Sequence, residues 1–308
     1  MTALEALPTP GSAAYRSLVT RTPVPEEVRV QTQALLLDVQ KRGDAALLDL
    51  TERFDGVRLQ QTAVSTQAMR AALDGLDPGL RGALDVAAAN IEAVHGAQRF
   101  HEEPVDVVRG VRVWREWRAL RRVGLYVPGG RTVYPSSVLM LAIPARLAGC
   151  EEIVMCSPPQ RDGQIAPAVL AAAGLAGVTE IHAVGGAQAI AAMAYGTESV
   201  RRVDKIFGPG NAYVTAAKLA VFGEVAIDMP AGPSEILILT DGSVPAAWVA
   251  ADLRAQAEHA PDARAILVST DPAVSHGCPR FRYATQLPLP PSTAAADMVR
   301  VVVAACSM

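Results

Sequence analysis

From Arg121 onward the chain alternates between two kinds of segment. Short apolar runs of strand type occur at 123–127, 152–156, 180–184, 203–207, 235–240 and 263–269. Helical runs at 136–148, 165–173, 187–195, 212–222 and 245–259 separate several of them. Alternation of this kind builds βαβ crossovers, so the fold class predicted is α/β with a largely parallel sheet. Ligands in such folds bind beyond the carboxyl ends of the strands. Those ends carry polar loops marked by glycine or proline: Tyr126-Val-Pro-Gly-Gly130, Gly185-Gly-Ala-Gln-Ala189 and Gly208-Pro-Gly-Asn211. Two more loops follow, Asp228-Met-Pro-Ala-Gly-Pro-Ser-Glu235 and Gln256-Ala-Glu-His259. Loops on a rigid scaffold are where binding and reactive groups concentrate.

The first 120 residues read differently. Pro25-Glu-Glu-Val28 suits a helix start, with two acids at the positive end of the dipole, and Gly43 suits its end. Asp44 is placed to cap a second helix over 45–54, and a longer one is predicted from Pro78 to about Phe100. Val105–Arg118 switches to a period of two around Gly110 and reads as a hairpin. His95 and His101 fall near the end of the long helix, where dipole or solvent contacts account for them.

With 19% charged residues, a net charge of −3 and a pI near 6.0, the chain has no basic stripe for nucleic acid and no polybasic helix for an anionic membrane. Its longest uncharged stretches are Ala-rich and broken by Gly or Pro, which does not suit a membrane span. The start lacks the basic and apolar parts of a secretory signal, so the expected location is cytoplasmic. Cys150 and Cys156 bracket a predicted strand and read as buried, reduced thiols.

Several motifs admit two readings. Gly208-Pro-Gly-Asn-Ala-Tyr213 follows a strand and opens a helix, but Tyr213 stands where a dinucleotide fingerprint needs its third glycine. It is either an anion-binding helix start or a tight turn capped by Asn211. Gln256 and His259 share a helix face, which fits two ligands of a metal site or a solvated histidine. The loop 228–235 is stiffened by Pro230, Gly232 and Pro233 and presents Ser234 and Glu235, either for recognition or as a rigid turn. His182 sits within a predicted strand and reads as structural. Neither a nucleophile elbow nor a phosphate-binding Walker loop occurs.

Taken in order, these loops resemble the histidinol dehydrogenase family. The similarity runs through Val123-Gly-Leu-Tyr-Val-Pro-Gly-Gly130, Val184-Gly-Gly-Ala-Gln-Ala-Ile190, Val203-Asp-Lys-Ile-Phe-Gly-Pro-Gly-Asn211, Ala226-Ile-Asp-Met-Pro-Ala-Gly-Pro-Ser-Glu235 and Gln256-Ala-Glu-His259, up to about Thr270. The resemblance implies incomplete doubly wound, Rossmann-like parallel-sheet domains beside the mostly helical N-terminal region. It also implies oxidation of L-histidinol to L-histidine by two NAD⁺ with bound Zn²⁺, in a homodimer. By motif, Tyr126, Gln188 and Asn211 would contact NAD. Ser234, Gln256 and His259 would contact substrate, and Gln256 and His259 would ligate zinc.

The expected organisation is a helical region with a hairpin at 1–120, a Rossmann-like NAD and substrate domain at 121–240, the start of a second α/β unit with a partial zinc site at 241–270, and an aberrant tail at 271–308. That tail, with four prolines between Pro279 and Pro291, breaks the preceding pattern and reads as a truncation or frameshift, with weak order expected at 298–305. The family's later Pro-Glu-His-Leu motif, whose Glu and His act as acid and base, does not occur in this sequence. The resemblance therefore implies a site with no catalytic acid–base pair. The alternative expectation is a non-catalytic NAD-binding remnant or dimerisation partner.

Overall fold

The computed structural model describes residues 11–13, 16, 24–98, 102–129, 133–230, 235–257, 264–269, 271 and 273–274, and the strand segments 283–287 and 299–305. Contacts divide the chain into two compact units, one covering Val24–Pro230 and the other containing the residues from Ala231 onward.

The larger unit begins with helices α1 (Glu26–Arg42) and α2 (Asp44–Asp55), separated by Gly43 at φ +56°. Asp44 was expected to cap α2, yet it is the first residue of that helix. Its carboxylate instead accepts from the Ser199 hydroxyl at 2.9 Å, because Gly43 already makes the turn. A short strand β1 (Ala63–Val64) and helices α3 (Thr66–Asp74) and α4 (Pro78–Gly96) follow. The sequence reading missed β1 and α3. Ser65 caps α3 by accepting from the Ala68 N–H, and Asp77 caps α4 in the same way through Leu80. The predicted hairpin is present as β2 (Val105–Val108) and β3 (Val111–Val113), turning at Gly110 with φ +86°.

The remaining elements alternate strand and helix: β4 (Arg122–Tyr126), α5 (Pro135–Leu147), β5 (Glu152–Ser157), α6 (Pro167–Ala176), β6 (Glu180–Ala183), α7 (Gly186–Tyr195), β7 (Lys205–Phe207), α8 (Ala212–Val221) and β8 (Ala226–Ile227). They form one sheet in the order β1-β6-β5-β4-β7-β8, parallel except at the β1 edge. Numbered by sequence among themselves, the five parallel strands stand in the order 3-2-1-4-5. Both faces are covered. Val123, Leu125, Ile153, Met155 and Ile181 pack with α5 and α6, backed by Met69 of α3 and Leu84 of α4. Tyr126, Val154, Cys156 and Ile206 pack with α7 and α8, backed by Leu36 and Val39 of α1 and Leu47 and Leu50 of α2. Cys156 is a buried free thiol as expected, whereas Cys150 is only partly buried.

The smaller unit contains β9 (Glu235–Thr240), α9 (Ala246–Ala257), β10 (Arg264–Ser269), β11 (Tyr283–Leu287) and β12 (Val299–Ala305), in the order β11-β12-β10-β9. Strands β9 and β10 are parallel, and β12 is antiparallel to both β10 and β11. The β-branched run Val301-Val-Val303 suits a strand, and it pairs along the whole of β10. Val249 and Leu253 of α9 bury against Ala265 and Leu267. Among the described residues no helix is long and apolar enough to cross a membrane.

Candidate functional site

In the larger sheet β4 and β7 are neighbours, but the helices that follow them lie on opposite faces: α5 packs on one side and α8 on the other. In open α/β sheets the ligand crevice lies where the winding reverses in this way, at the carboxyl ends of the two strands. Three of the sequence-selected residues surround that edge. Tyr126 ends β4, Gln188 lies in the first turn of α7, and Asn211 caps α8.

Tyr126 is 4% exposed, and its hydroxyl oxygen accepts the Gly186 N–H at 3.1 Å. Burial pushes this phenol up to about 12, against the lowering effect of the Gly186 N–H, so at neutral pH it keeps a proton to donate. Gln188 is also buried, at 2% exposure. A side chain on Gly186 (φ +62°) would come within 2.6 Å of its Oε1, so the glycine lets the amide lie against the backbone. Asn211 is exposed. Its Oδ1 accepts from the Tyr213 and Val214 N–H groups at 3.0 and 3.1 Å, the cap foreseen from sequence, which leaves the amide nitrogen as the group it offers outward. Tyr126 and Gln188 are thus buried at this edge, and Asn211 is exposed.

Glycine allows the loops to touch. Gly129 and Gly185 both lie against Pro158, where an added Cβ would fall 2.8 and 2.6 Å from its ring. Gly208 has φ +129°, and a Cβ there would be 2.1 Å from the Tyr126 carbonyl oxygen. The N-termini of α7 and α8 open at this same edge, where oriented N–H groups favour an anion.

Two residues that sequence reasoning did not select bind this loop. The Lys218 ammonium, 3% exposed, donates to the Gly208 carbonyl at 2.8 Å and pairs with Asp228. Asp228 accepts the Gly208 N–H at 2.8 Å. The available signal was helical spacing: Lys218 shares the stripe of Val214, Ala217 and Val221, which are all buried.

Beside the carboxyl end of β5 a surface cleft is lined by Phe54, Asp55, Gln160, Arg161 and Asp162. Burial pushes Asp55 up to about 6, and its Oδ2 is buried without a hydrogen bond.

A second polar cluster lies at the opposite end of the sheet, where the strands begin. Arg122, 6% exposed, donates to both oxygens of Glu180 at 2.8 and 2.9 Å and to Glu152. The buried His182 bridges Glu180 at 2.8 Å and the Thr62 hydroxyl at 3.1 Å, consistent with the structural reading given it. Burial alone would raise Glu180, but its bonds from His182 and Arg122 outweigh that and hold it below the usual glutamate range. Away from the sheet, His95 ends α4 with its Nδ1 2.8 Å from the Gln98 amide oxygen, a local contact.

Gln256 is the penultimate residue of α9 in the smaller unit. Ser234 and His259 lie outside the described residues, as do Gly130, His101, His276, Cys278 and Cys306. Among the described residues no three His, Cys, Asp or Glu side chains are grouped to hold a metal ion.

Comparison with known proteins supplies the family. The histidinol dehydrogenase family model matches residues 19–280. The histidinol dehydrogenase of Parasynechococcus marenigrum (strain WH8102) is 50% identical over 258 residues, covering 84% of this chain and 59% of that protein. That of Xanthomonas euvesicatoria pv. vesicatoria (strain 85-10) is 52% identical over 248 residues, covering 80% and 58%. The crystal structure of histidinol dehydrogenase from Elizabethkingia anophelis superposes with a TM-score of 0.79 at 42% identity, over 84% of this chain and 60% of that one. This chain therefore spans about three-fifths of the length of the relatives it matches.

Proposed function

The chain belongs to the histidinol dehydrogenase family, and we propose that its larger unit is a Rossmann-like NAD-binding domain of an enzyme oxidising L-histidinol to L-histidine. The observation that carries this reading is the convergence of Tyr126, Gln188 and Asn211 on one strand-end crevice. When bound, NAD⁺ supplies the hydride acceptor and Zn²⁺ a Lewis-acid template. The residues present do the binding. The protonated Tyr126 hydroxyl donates from its buried position, the Asn211 amide donates from its exposed one, and the N-termini of α7 and α8 favour the dinucleotide's phosphates. Glycine contacts replace the missing fingerprint, because Gly208 brings the loop backbone onto β4.

Ser234, Gln256 and His259 are assigned to substrate, with Gln256 and His259 also zinc ligands. Those roles come from the motif order in the sequence. A Glu–His acid–base pair in the family's context is absent from these 308 residues. Such a pair contributes about 10²–10⁴-fold, so the polypeptide by itself is assigned NAD⁺ binding without turnover. Titration calorimetry with NAD⁺, followed by an assay with histidinol, NAD⁺ and Zn²⁺, tests this. Saturable NAD⁺ binding with no NADH formed is expected. Appreciable turnover would overturn the inactivity, and no binding would overturn the cofactor site.

A second role, as a dimerisation partner, has its own support. The β2–β3 hairpin exposes Val105, Val107, Val108, Val111 and Val113, followed by Trp114 and Trp117. A two-stranded hairpin is marginal without cover, and residues 102–118 hold four acids and four arginines, a balance suited to a second copy of the same surface. Sedimentation velocity should show a dimer that Val108→Asp weakens. The free thiols Cys150 and Cys156 fit a cytoplasmic setting.

A further inference from the structure

The loop Gly208-Pro-Gly-Asn211 is short, contains two glycines, and has only a three-residue strand before it. Such a segment has many backbone conformations open to it. In the structure it has one, and both backbone polar groups of Gly208 are taken. The carbonyl accepts from the Lys218 ammonium, and the N–H donates to the Asp228 carboxylate. The two side chains are also paired with each other, so the three groups close a ring. Lys218 reaches back along α8 from nearly two turns beyond the cap, the direction in which helical side chains lean. Asp228 follows β8, and its own N–H is fixed by the Ile206 carbonyl at 3.1 Å. The clamp is therefore anchored on two regular elements and grips the loop between them.

Burying an ammonium is costly even when it is paired, and an apolar residue on the stripe of Val214 and Val221 would serve packing better. The charge is placed where it fixes the path of Gly208, three residues before Asn211.

We propose that Lys218 and Asp228 are positioning residues for the cofactor: they hold the Gly208–Asn211 backbone so that the Asn211 amide nitrogen, at the start of α8, meets the dinucleotide in a preset geometry. This rests on the reading of the crevice as the NAD site. Neither residue needs to touch the ligand. A preset loop loses little further freedom on binding, and that is where the affinity gain arises.

The test uses the 308-residue chain with Lys218→Met, Asp228→Asn and the double variant, measured by NAD⁺ calorimetry, by amide hydrogen exchange without ligand, and by thermal melting. A charge-assisted hydrogen bond lost at the loop should weaken NAD⁺ binding about tenfold or more in Lys218→Met. Because the two side chains act as one clamp, the double variant should be no weaker than the poorer single one. Exchange of the Gly208 amide should rise while that of β5 stays unchanged, a local pattern that general destabilisation does not produce. Unchanged NAD⁺ affinity in folded variants would overturn the proposal, and so would exchange rising uniformly through β4, β5 and β7. If Lys218→Met does not fold, Asp228→Asn, which keeps the side-chain shape and removes the charge, decides by the same readings. If the unaltered chain binds no NAD⁺, the cofactor reading fails by itself. The Gly208 exchange then decides separately whether the pair holds the loop.

Discussion

Strands β4 and β9 are both rich in aliphatic residues, and they are treated differently. Every residue of β4, Arg122 included, is buried, and helices cover both faces of its sheet. In β9 burial alternates, and Leu237 and Leu239 are 63% and 76% exposed while Ile236 and Ile238 pack toward α9. A sequence such as Glu-Ile-Leu-Ile-Leu-Thr suits a strand covered on both sides. Among the described residues of the smaller unit, α9 and Val274 cover one face. The larger unit has thus satisfied the apolar pattern its sequence encodes, and the described part of the smaller one has satisfied half of it.

Substitutions break or sharpen this contrast. The largest effect is expected at Arg122, a buried guanidinium whose removal leaves Glu180 with His182 and Glu152 with Arg201 as their remaining hydrogen-bond partners. Arg122→Met should cost about 3–5 kcal/mol in denaturant unfolding, and a cost under about 1 kcal/mol would mean the cluster is solvated rather than structural. Next, Leu125→Ala, in the doubly covered sheet, should cost about 2–5 kcal/mol, while Leu239→Ala should stay within about 0.5 kcal/mol. Equal costs at the two positions would show that the outer face of β9 is covered after all.

A smaller effect of opposite sign is expected at Asp55, whose Oδ2 is buried without a hydrogen bond. Burial raises it to about 6 from the ordinary 3.8. The folded chain then retains a proton that the unfolded chain has already released. Its contribution makes stability fall as pH rises from about 4 to about 6 and stay level above that. Asp55→Asn should remove this decline and stabilise the fold at pH 7 by on the order of 1 kcal/mol. Melting temperatures taken between pH 4 and 7 check it, and a parallel shift at every pH would contradict the assignment.

The parallel sheet was legible because its strands and helices differ in period and length, and each is punctuated by Gly or Pro. Most boundaries lie within a residue or two of the predicted ones. Strand β1 was not legible: with two residues, it has no periodicity to detect. Helix α3 was missed because the helical reading took up again only at Pro78, although Ser65 gives it a regular cap. Within the site, Asn211 was visible from loop chemistry, since a capping residue leaves a local mark, whereas Tyr126 and Gln188 were selected through the family resemblance. Lys218 and Asp228 were not. Their meaning arises from pairing across ten residues and a strand, and a lysine in an Ala-rich helix ordinarily faces water. The burial of Tyr126 and Gln188 was equally hidden, because it depends on helices α1 and α2 from the other end of the unit.

Arg122 has one more consequence. Its guanidinium joins Glu152 and Glu180, which begin β5 and β6, and its N–H donates to Asp204 at 3.0 Å, just before β7. The pairing places Arg122 opposite Glu152 and Val123 opposite Lys205. Sliding any of these strands by one residue, about 3.3 Å, would break a bond at this point and turn every apolar side chain of that strand to the wrong face. A single residue, through its guanidinium and its backbone N–H, thus works as an alignment mark for four strands. The loops at their far ends, where Tyr126, Gly186 and Gly208 meet, inherit their mutual height from a residue on the other side of the molecule.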